Sequence, residues 1–329
     1  MRIQTSAPTR IDLAGGTIDI WPLYLFHPGA QTLNAAISLR ARARVEPRDD
    51  SRIVIRSEDT GASVEAEDWR ELWNPKDLRL LSLLVHFFEM RGITLTTSSQ
   101  SPAGAGIAGS SALNVAVCAA LAEWKRLHYD PEGLLQVAMN VEARAINVPT
   151  GLQDYRPALY GGLAAVELDA DGVRRVPLSV DLAELERRIV LCYTGEPHFS
   201  GTNNWEIMKR HIDGDRHVFD CFERIRDTAV TMRKALEQSD WDGVSRAIGE
   251  EWDNRKRLAP GVTTSAIDDL IARAKAAGAT AAKVCGAGGG GCLFCYGPPA
   301  EREAIRGALT AGGARVLDFT FERHGLSRG

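Results

Sequence analysis

Residues 102–112 read PAGAGIAGSSA, a run that offers almost no side chain beyond Gly, Ala and Ser. A backbone so bare is built for close approach by another group. It lies between β-rich ITLTTSS (93–99) and SSALNVAVCAALAEWKRL (110–127), which carries a continuous apolar helical face. In that setting the loop N–H groups can reach anion oxygens, and the following helix adds its positive N-terminal end. A second loop, GAGGGG at 286–291, is too rich in glycine for a turn alone, because glycine is entropically expensive to order. It reads as backbone lying against a ligand or against the first loop.

The anion is not specified by these loops alone. GAGIAG (104–109) satisfies the GxGxxG dinucleotide fingerprint, which keeps an NAD-dependent dehydrogenase among the readings. That fold also asks for a strand after the helix, ending in an acidic residue about 20 positions beyond the motif. Here a second helix follows, PEGLLQVAMNVEARAI (131–146), with Pro131 in its first turn. The P-loop pattern GxxxxGK[ST] is absent.

The remaining pattern alternates strands and helices. Arg40, Arg42 and Arg44 share one face of a strand through ARARVE (41–46), a solvated face opposite the alanines. RIVIRS (52–57) is a further strand, and KDLRLLSLLVHFFEMRG (76–92) a helix ending at Gly92. The second half begins with a strand, RRIVLCYTG (187–195), and continues with three helical stretches between about 203 and 276. It ends β-α-β: AAKVCGAGGGGCLFCYG, a helix near 299–311, and ARVLDFTFE (314–322). This is an α+β chain of 329 residues in two domains, 1–178 and 179–329.

A net charge of -4 gives no reason to expect nucleic acid as partner. No apolar run reaches the roughly 18 residues of a membrane span, and the opening lacks a signal peptide's apolar core. Six cysteines in a chain this long do not make a disulfide framework, and Cys292 and Cys295 read as part of a buried strand. The expectation is a cytoplasmic protein without membrane or nucleic-acid partners.

Three motifs in order along the chain resemble those of the GHMP kinases, the family of galactokinase, homoserine kinase, mevalonate kinase and phosphomevalonate kinase. The first is PTRIDLAGGTIDIWP, with Arg10 and Asp19; GGTID stands where galactokinases carry Glu-His before their Asp, and the pattern is more similar to bacterial heptose 7-phosphate kinases. The second is Pro102–Ala112, with Gly109 where the family commonly has serine. The third is KVCGAGGGGCLF.

The resemblance implies a two-domain GHMP kinase fold, with a left-handed βαβ unit in the N-terminal domain and a ferredoxin-like C-terminal domain. It implies ATP held by Pro102, Gly104, Ala105, Gly106, Ile107, Ala108, Gly109, Ser110 and Ser111, and Mg²⁺ at Ser111 and Glu142. Mg²⁺ takes few protein ligands and keeps waters and phosphates, so one Glu and one Ser suffice. Asp154 would take the acceptor's proton or orient its hydroxyl, with Arg10 beside it. Asp19 would hold sugar hydroxyls, with Thr17, Gln153 and Tyr160 on the same wall. Gly288 and Gly289 would close over the phosphate loop at the substrate. The implied activity is transfer of the γ-phosphate of ATP to a hydroxyl of a sugar or sugar phosphate. D-glycero-D-manno-heptose 7-phosphate, at its anomeric hydroxyl, comes first, ahead of a free hexose or uronic acid and of mevalonate. A non-catalytic sugar sensor is the alternative of another class, and a monomer or homodimer the expected assembly.

Overall fold

The computed structural model describes residues 2–197 and 200–329, without the side chains of residues 200–203. In the first part of the chain β1 (Ile3–Ala14), β2 (Gln31–Pro47), β3 (Ile53–Ser57) and β4 (Ser63–Ala66) precede α1 (Arg79–Phe87) and β5 (Ile93–Ser99). Helices α2 (Gly109–Trp124), α3 (Pro131–Ile146) and α4 (Tyr155–Tyr160) follow, then β6 (Leu163–Asp169) and β7 (Gly172–Pro177). Next come α5 (Leu182–Arg187), β8 (Ile189–Tyr193), α6 (Ser200–Ile212), α7 (Arg216–Glu237), α8 (Trp241–Arg255) and α9 (Ser265–Ala276). The chain closes with β9 (Ala281–Val284), β10 (Cys292–Tyr296), α10 (Arg302–Ala311), β11 (Arg315–Leu317) and β12 (Ser327–Arg328).

Two sheets organise these elements. The first runs β12-β1-β2-β5-β3-β4, with β6 and β7 added along the other end of the long strand β2. Its one parallel pairing among adjacent strands joins β3 to β5, so the segment carrying α1 between them is a βαβ crossover. The second sheet, β11-β8-β10-β9, is antiparallel throughout. Numbered from β8, its strands lie in the order 4-1-3-2, with helices before the second strand and before the fourth, as in a ferredoxin-like half. The tail after β11 returns to the first sheet: Phe321 bridges to Ile37, and Ser327 pairs with Ser6.

Local chemistry explains the boundaries. Asp130 accepts the Gly133 N–H at 2.6 Å and Pro131 occupies the first helical position, so α3 begins where the cap and the preset φ require. Helix α1 stops short of Gly92 because the backbone turns left-handed at Glu89 (φ 48°). Four helices occupy the region where three stretches were expected. Gly214 (φ 87°) ends α6, and Asp215 caps α7 through the His217 and Val218 N–H groups. The strand expected at 187–195 is shorter, since Leu182–Arg187 is helical, and that expected at 314–322 is paired only over Arg315–Leu317. Arg42 is exposed and Arg44 half-buried, while Ala41 and Ala43 face the core. No helix is long and apolar enough to cross a membrane, among the described residues.

Helix α2 is the pivot of the first half. It is buried along nearly its whole length, packed on β1 and β2 at one side and on α3 and α4 at the other. Its alanines permit that approach, and Thr5 Oγ1 donates to Ala116 O at 2.7 Å across the gap. Because Leu121 is fully buried, Leu121→Ala leaves a cavity and should destabilise the chain by about 3 kcal/mol. Urea unfolding checks this: the midpoint falls while the slope is unchanged.

Candidate active site

The loop before α2 is shaped by backbone that only small residues accept. Gly104 and Gly106 have φ of 65° and 70°, and Ala108, the residue before the helix, has 60°. A Cβ on Gly106 would stand 2.6 Å from Cys285 O, and one on Gly286 would stand 2.9 Å from Gly106 O. One on Gly291 would meet Ala105 at 2.8 Å. The two glycine-rich loops therefore lie backbone against backbone, and their bareness is the condition of the contact. Gly109 has a local reason too: any Cβ there would stand 2.9 Å from Ser101 Oγ.

Beside the loops is a cavity of about 390 Å³. Arg10 from β1 reaches its floor. The guanidinium donates to Asp154 Oδ1 from Nε at 3.1 Å and Nη2 at 2.5 Å, and from Nη1 to Gly106 O at 2.7 Å. One side chain thus ties the acid at the start of α4 to the glycine loop. Burial opposes the charge on Arg10, but the carboxylates of Asp154 and Asp12 outweigh it and hold its pKa above the ordinary arginine value.

Glu142, late in α3, meets the first turn of α2. Its carboxylate accepts from Ser110 Oγ at 2.6 Å, Ser111 Oγ at 3.2 Å, Asn114 Nδ2 at 3.3 Å and Tyr155 Oη at 2.7 Å. Burial raises its pKa; the bonds from Ser110, Tyr155 and Asn114 work against that, and the charge of Asp154 adds to it. One carboxylate and two hydroxyls at a helix N-terminus are a donor set that suits a hard cation shared with phosphate oxygens. No group of three or more His, Cys, Asp or Glu that could hold a metal alone occurs among the described residues, Cys292 and Cys295 included.

Asp19 lies across the cavity, fully buried. Its Oδ2 accepts the Gln153 N–H at 2.9 Å, while Oδ1 has no partner. Burial, reinforced by the charge of Asp154, pushes its pKa up to about 6. Thr17 stands next to it with φ 71°, and Gln153 lines the same wall with an unpartnered Oε1.

Most residues expected at the site from sequence line this one cavity: Arg10, Thr17, Asp19, Glu142, Asp154 and the loop from Pro102 to Ser111, apart from Ile107. The Ile107 side chain is buried in the core, and its backbone O accepts the Arg10 N–H at 3.0 Å. Gly288 and Gly289 turn away from the cavity onto Val262, whose O accepts the Gly289 N–H at 2.8 Å; Gly286 and Ala287 line the cavity instead. Tyr160 also faces elsewhere, its hydroxyl donating to Glu132. Four charges behind the cavity, Asp12, Glu251, Arg255 and Lys283, carry no sequence signal of that place beyond the presence of Asp12 and Lys283 within two of the motifs.

Bare loops at a helix N-terminus, with a carboxylate held by arginine across from them, are an arrangement compatible with phosphoryl transfer, and α2 leading directly to α3 excludes the dinucleotide fold. Family comparison agrees. The GHMP kinases N terminal domain matches residues 78–162 and the GHMP kinases C terminal matches residues 232–315. The chain is 30% identical to the D-glycero-alpha-D-manno-heptose 7-phosphate kinase of Campylobacter jejuni, over 98% of each chain. It is 26% identical to the mevalonate kinase of Thermococcus sibiricus, over 99% of this chain and 98% of that one. The crystal structure of a D-glycero-D-manno-heptose 1-phosphate kinase from Bacteroides thetaiotaomicron superposes with a TM-score of 0.79 at 26% identity, covering 99% of this chain and 98% of that one. The chain belongs to the GHMP kinase family and is an ATP-using phosphotransferase with that family's two-domain fold.

Replacing Gly286 by alanine forces a Cβ against Gly106 O at a left-handed φ of 70°. The variant should lose about 1 kcal/mol or more of stability and bind ATP more weakly. Thermal unfolding and calorimetric titration with ATP check the two effects separately.

Proposed function

We propose that this chain transfers the γ-phosphoryl group of ATP to a hydroxyl of a sugar phosphate, with D-glycero-D-manno-heptose 7-phosphate, at its anomeric hydroxyl, the first candidate. The observation that carries the reading is the Arg10 guanidinium, which binds Asp154 and the Gly106 carbonyl together. It sets a proton acceptor at the edge of a phosphate cradle. The heptose acceptor is supported by the 30% identity to a heptose 7-phosphate kinase over the full chain.

In this reading the triphosphate lies along residues 104–111, against the N-terminus of α2. Ser111 and Glu142 would hold Mg²⁺, which when bound offsets phosphate charge. Asp19 and Gln153 accept hydrogen bonds from acceptor hydroxyls, and Asp154 orients the reacting hydroxyl and takes its proton. The acceptor oxygen forms its bond to the γ-phosphorus as the bond to the β–γ bridging oxygen breaks, and ADP leaves. Arg10 touches the transferring group while keeping Asp154 in place. Positioning and charge account for most of the rate in such reactions, and the acid–base contribution is about 10²–10⁴-fold.

Coupled ADP release with Mg-ATP over a panel of heptose phosphates, free hexoses, uronic acids and mevalonate tests the assignment. One acceptor should give turnover, and Asp154→Asn should reduce kcat by about 10²–10⁴-fold with ATP binding retained. Turnover unaffected by Asp154→Asn would remove that residue from the mechanism. ATP binding without turnover on any acceptor would favour a sensor.

The elevated pKa of Asp19 gives a pH signature. Its folded value of about 6 lies above the usual carboxylate range, so the group gains its proton as pH falls through about 6 and can then accept fewer hydrogen bonds. The acceptor kcat/KM should fall below about pH 6 in the native chain. In Asp19→Asn that acid limb should vanish, at a lower plateau.

A further inference from the structure

Behind the cavity the fold buries four charges that the reaction as described leaves idle. Asp12, Glu251 and Lys283 are fully buried and Arg255 almost so. Lys283, on β9, donates to Asp12 Oδ2 at 2.8 Å and Asp12 O at 2.9 Å, and stands 3.5 Å from Glu251 Oε2. Arg255, ending α8, binds Glu251 Oε1 through Nε at 2.8 Å and Nη2 at 2.5 Å. Its Nη1 lies 3.0 Å from Thr17 Oγ1 and 3.3 Å from Gly286 O. The other face of that residue is held as well, since Asp12 Oδ1 accepts the Gly286 N–H at 3.0 Å.

Such a cluster is a poor source of stability, because desolvating paired charges costs about as much as their attraction returns, and apolar replacements often do as well. What the cluster touches is the machinery. Asp12 lies two residues from Arg10 on β1, 3.9 Å from its Nη1. Arg10 therefore has two carboxylates to choose between, Asp12 and Asp154. The close ammonium of Lys283 already occupies Asp12, and Arg10 makes its short bonds to Asp154 instead. Without that ammonium, Arg10 would be the nearest cation for a buried carboxylate.

We propose that Lys283 is a positioning residue for phosphoryl transfer: by occupying Asp12 it leaves the Arg10 guanidinium to Asp154 and the phosphate loop. The Asp12 so held, together with Arg255, pins the Gly286 peptide against that loop. This rests on the kinase reading above.

The test compares steady-state kinetics of the full chain with Lys283→Met, alone and combined with Asp12→Asn. Lys283→Met should lower kcat by roughly tenfold or more with KM for ATP within about threefold, the pattern of a lost transition-state interaction. Adding Asp12→Asn removes the stranded charge, keeps an acceptor for the Gly286 N–H, and should restore most of the lost kcat. A merely structural lysine would show no such rescue. A folded double variant no faster than the single one overturns the proposal, as does a single variant with native turnover. Should Lys283→Met fail to fold, the double variant decides: kcat above about a tenth of native supports the proposal and kcat below it overturns it. Lack of turnover in the native chain would instead overturn the kinase reading itself.

Discussion

The buried guanidinium of Arg10 is the interaction on which the site depends. It bonds to Asp154 at the start of α4 and to Gly106 in the loop before α2, and it faces Asp12 on its own strand. Three separate stretches of the first half are thereby brought into fixed relation by one planar fork. Arginine suits the task, since its donors are set in rigid geometry and its charge survives burial. The surrounding carboxylates reinforce that charge against the cost of burial.

Around that fork, the bareness of the two glycine loops has a structural and a chemical consequence. Gly106 and Gly286 lie so close that a methyl group on either would meet the opposite backbone. The contact closes the cavity from the side of the second sheet, where Gly286 and Ala287 line it. Glu142 supplies the negative charge at the N-terminus of α2, held by Ser110, Ser111, Asn114 and Tyr155. With Asp19 and Asp154, the cavity carries three carboxylates in three environments: one bonded by hydroxyls, one paired with arginine, and one left half-partnered with a raised pKa.

Much of this could be read from the chain alone. The phosphate loop, the strand before it and the two helices after it were legible because small residues, β-branched runs and a proline in the first helical turn are local signals. Family motifs supplied the acids. Of the two long strands, β2 was read only in part and β1 not at all: β2 is buried on both faces from Gln31 to Ile37, which erases the alternation that marked Ala41 onward, and β1 carries buried Thr5, Thr9, Arg10 and Asp12. The charge cluster was invisible for a related reason. Charged residues are read as surface, and Asp12, Glu251, Arg255 and Lys283 meet across more than 270 positions of chain. Gly288 and Gly289 were assigned to the substrate because the loop was read as a single unit, whereas its middle turns onto Val262 while Gly286 and Gly291 pack against the first loop.

Phosphorus NMR of the native chain with Mg-ATP and D-glycero-D-manno-heptose 7-phosphate tests the central claim most directly. The account predicts that the γ resonance of ATP disappears as ADP and one new anomeric phosphate ester appear in equal amounts. ATP left unchanged, or converted only to ADP and inorganic phosphate, would contradict phosphoryl transfer to this sugar phosphate.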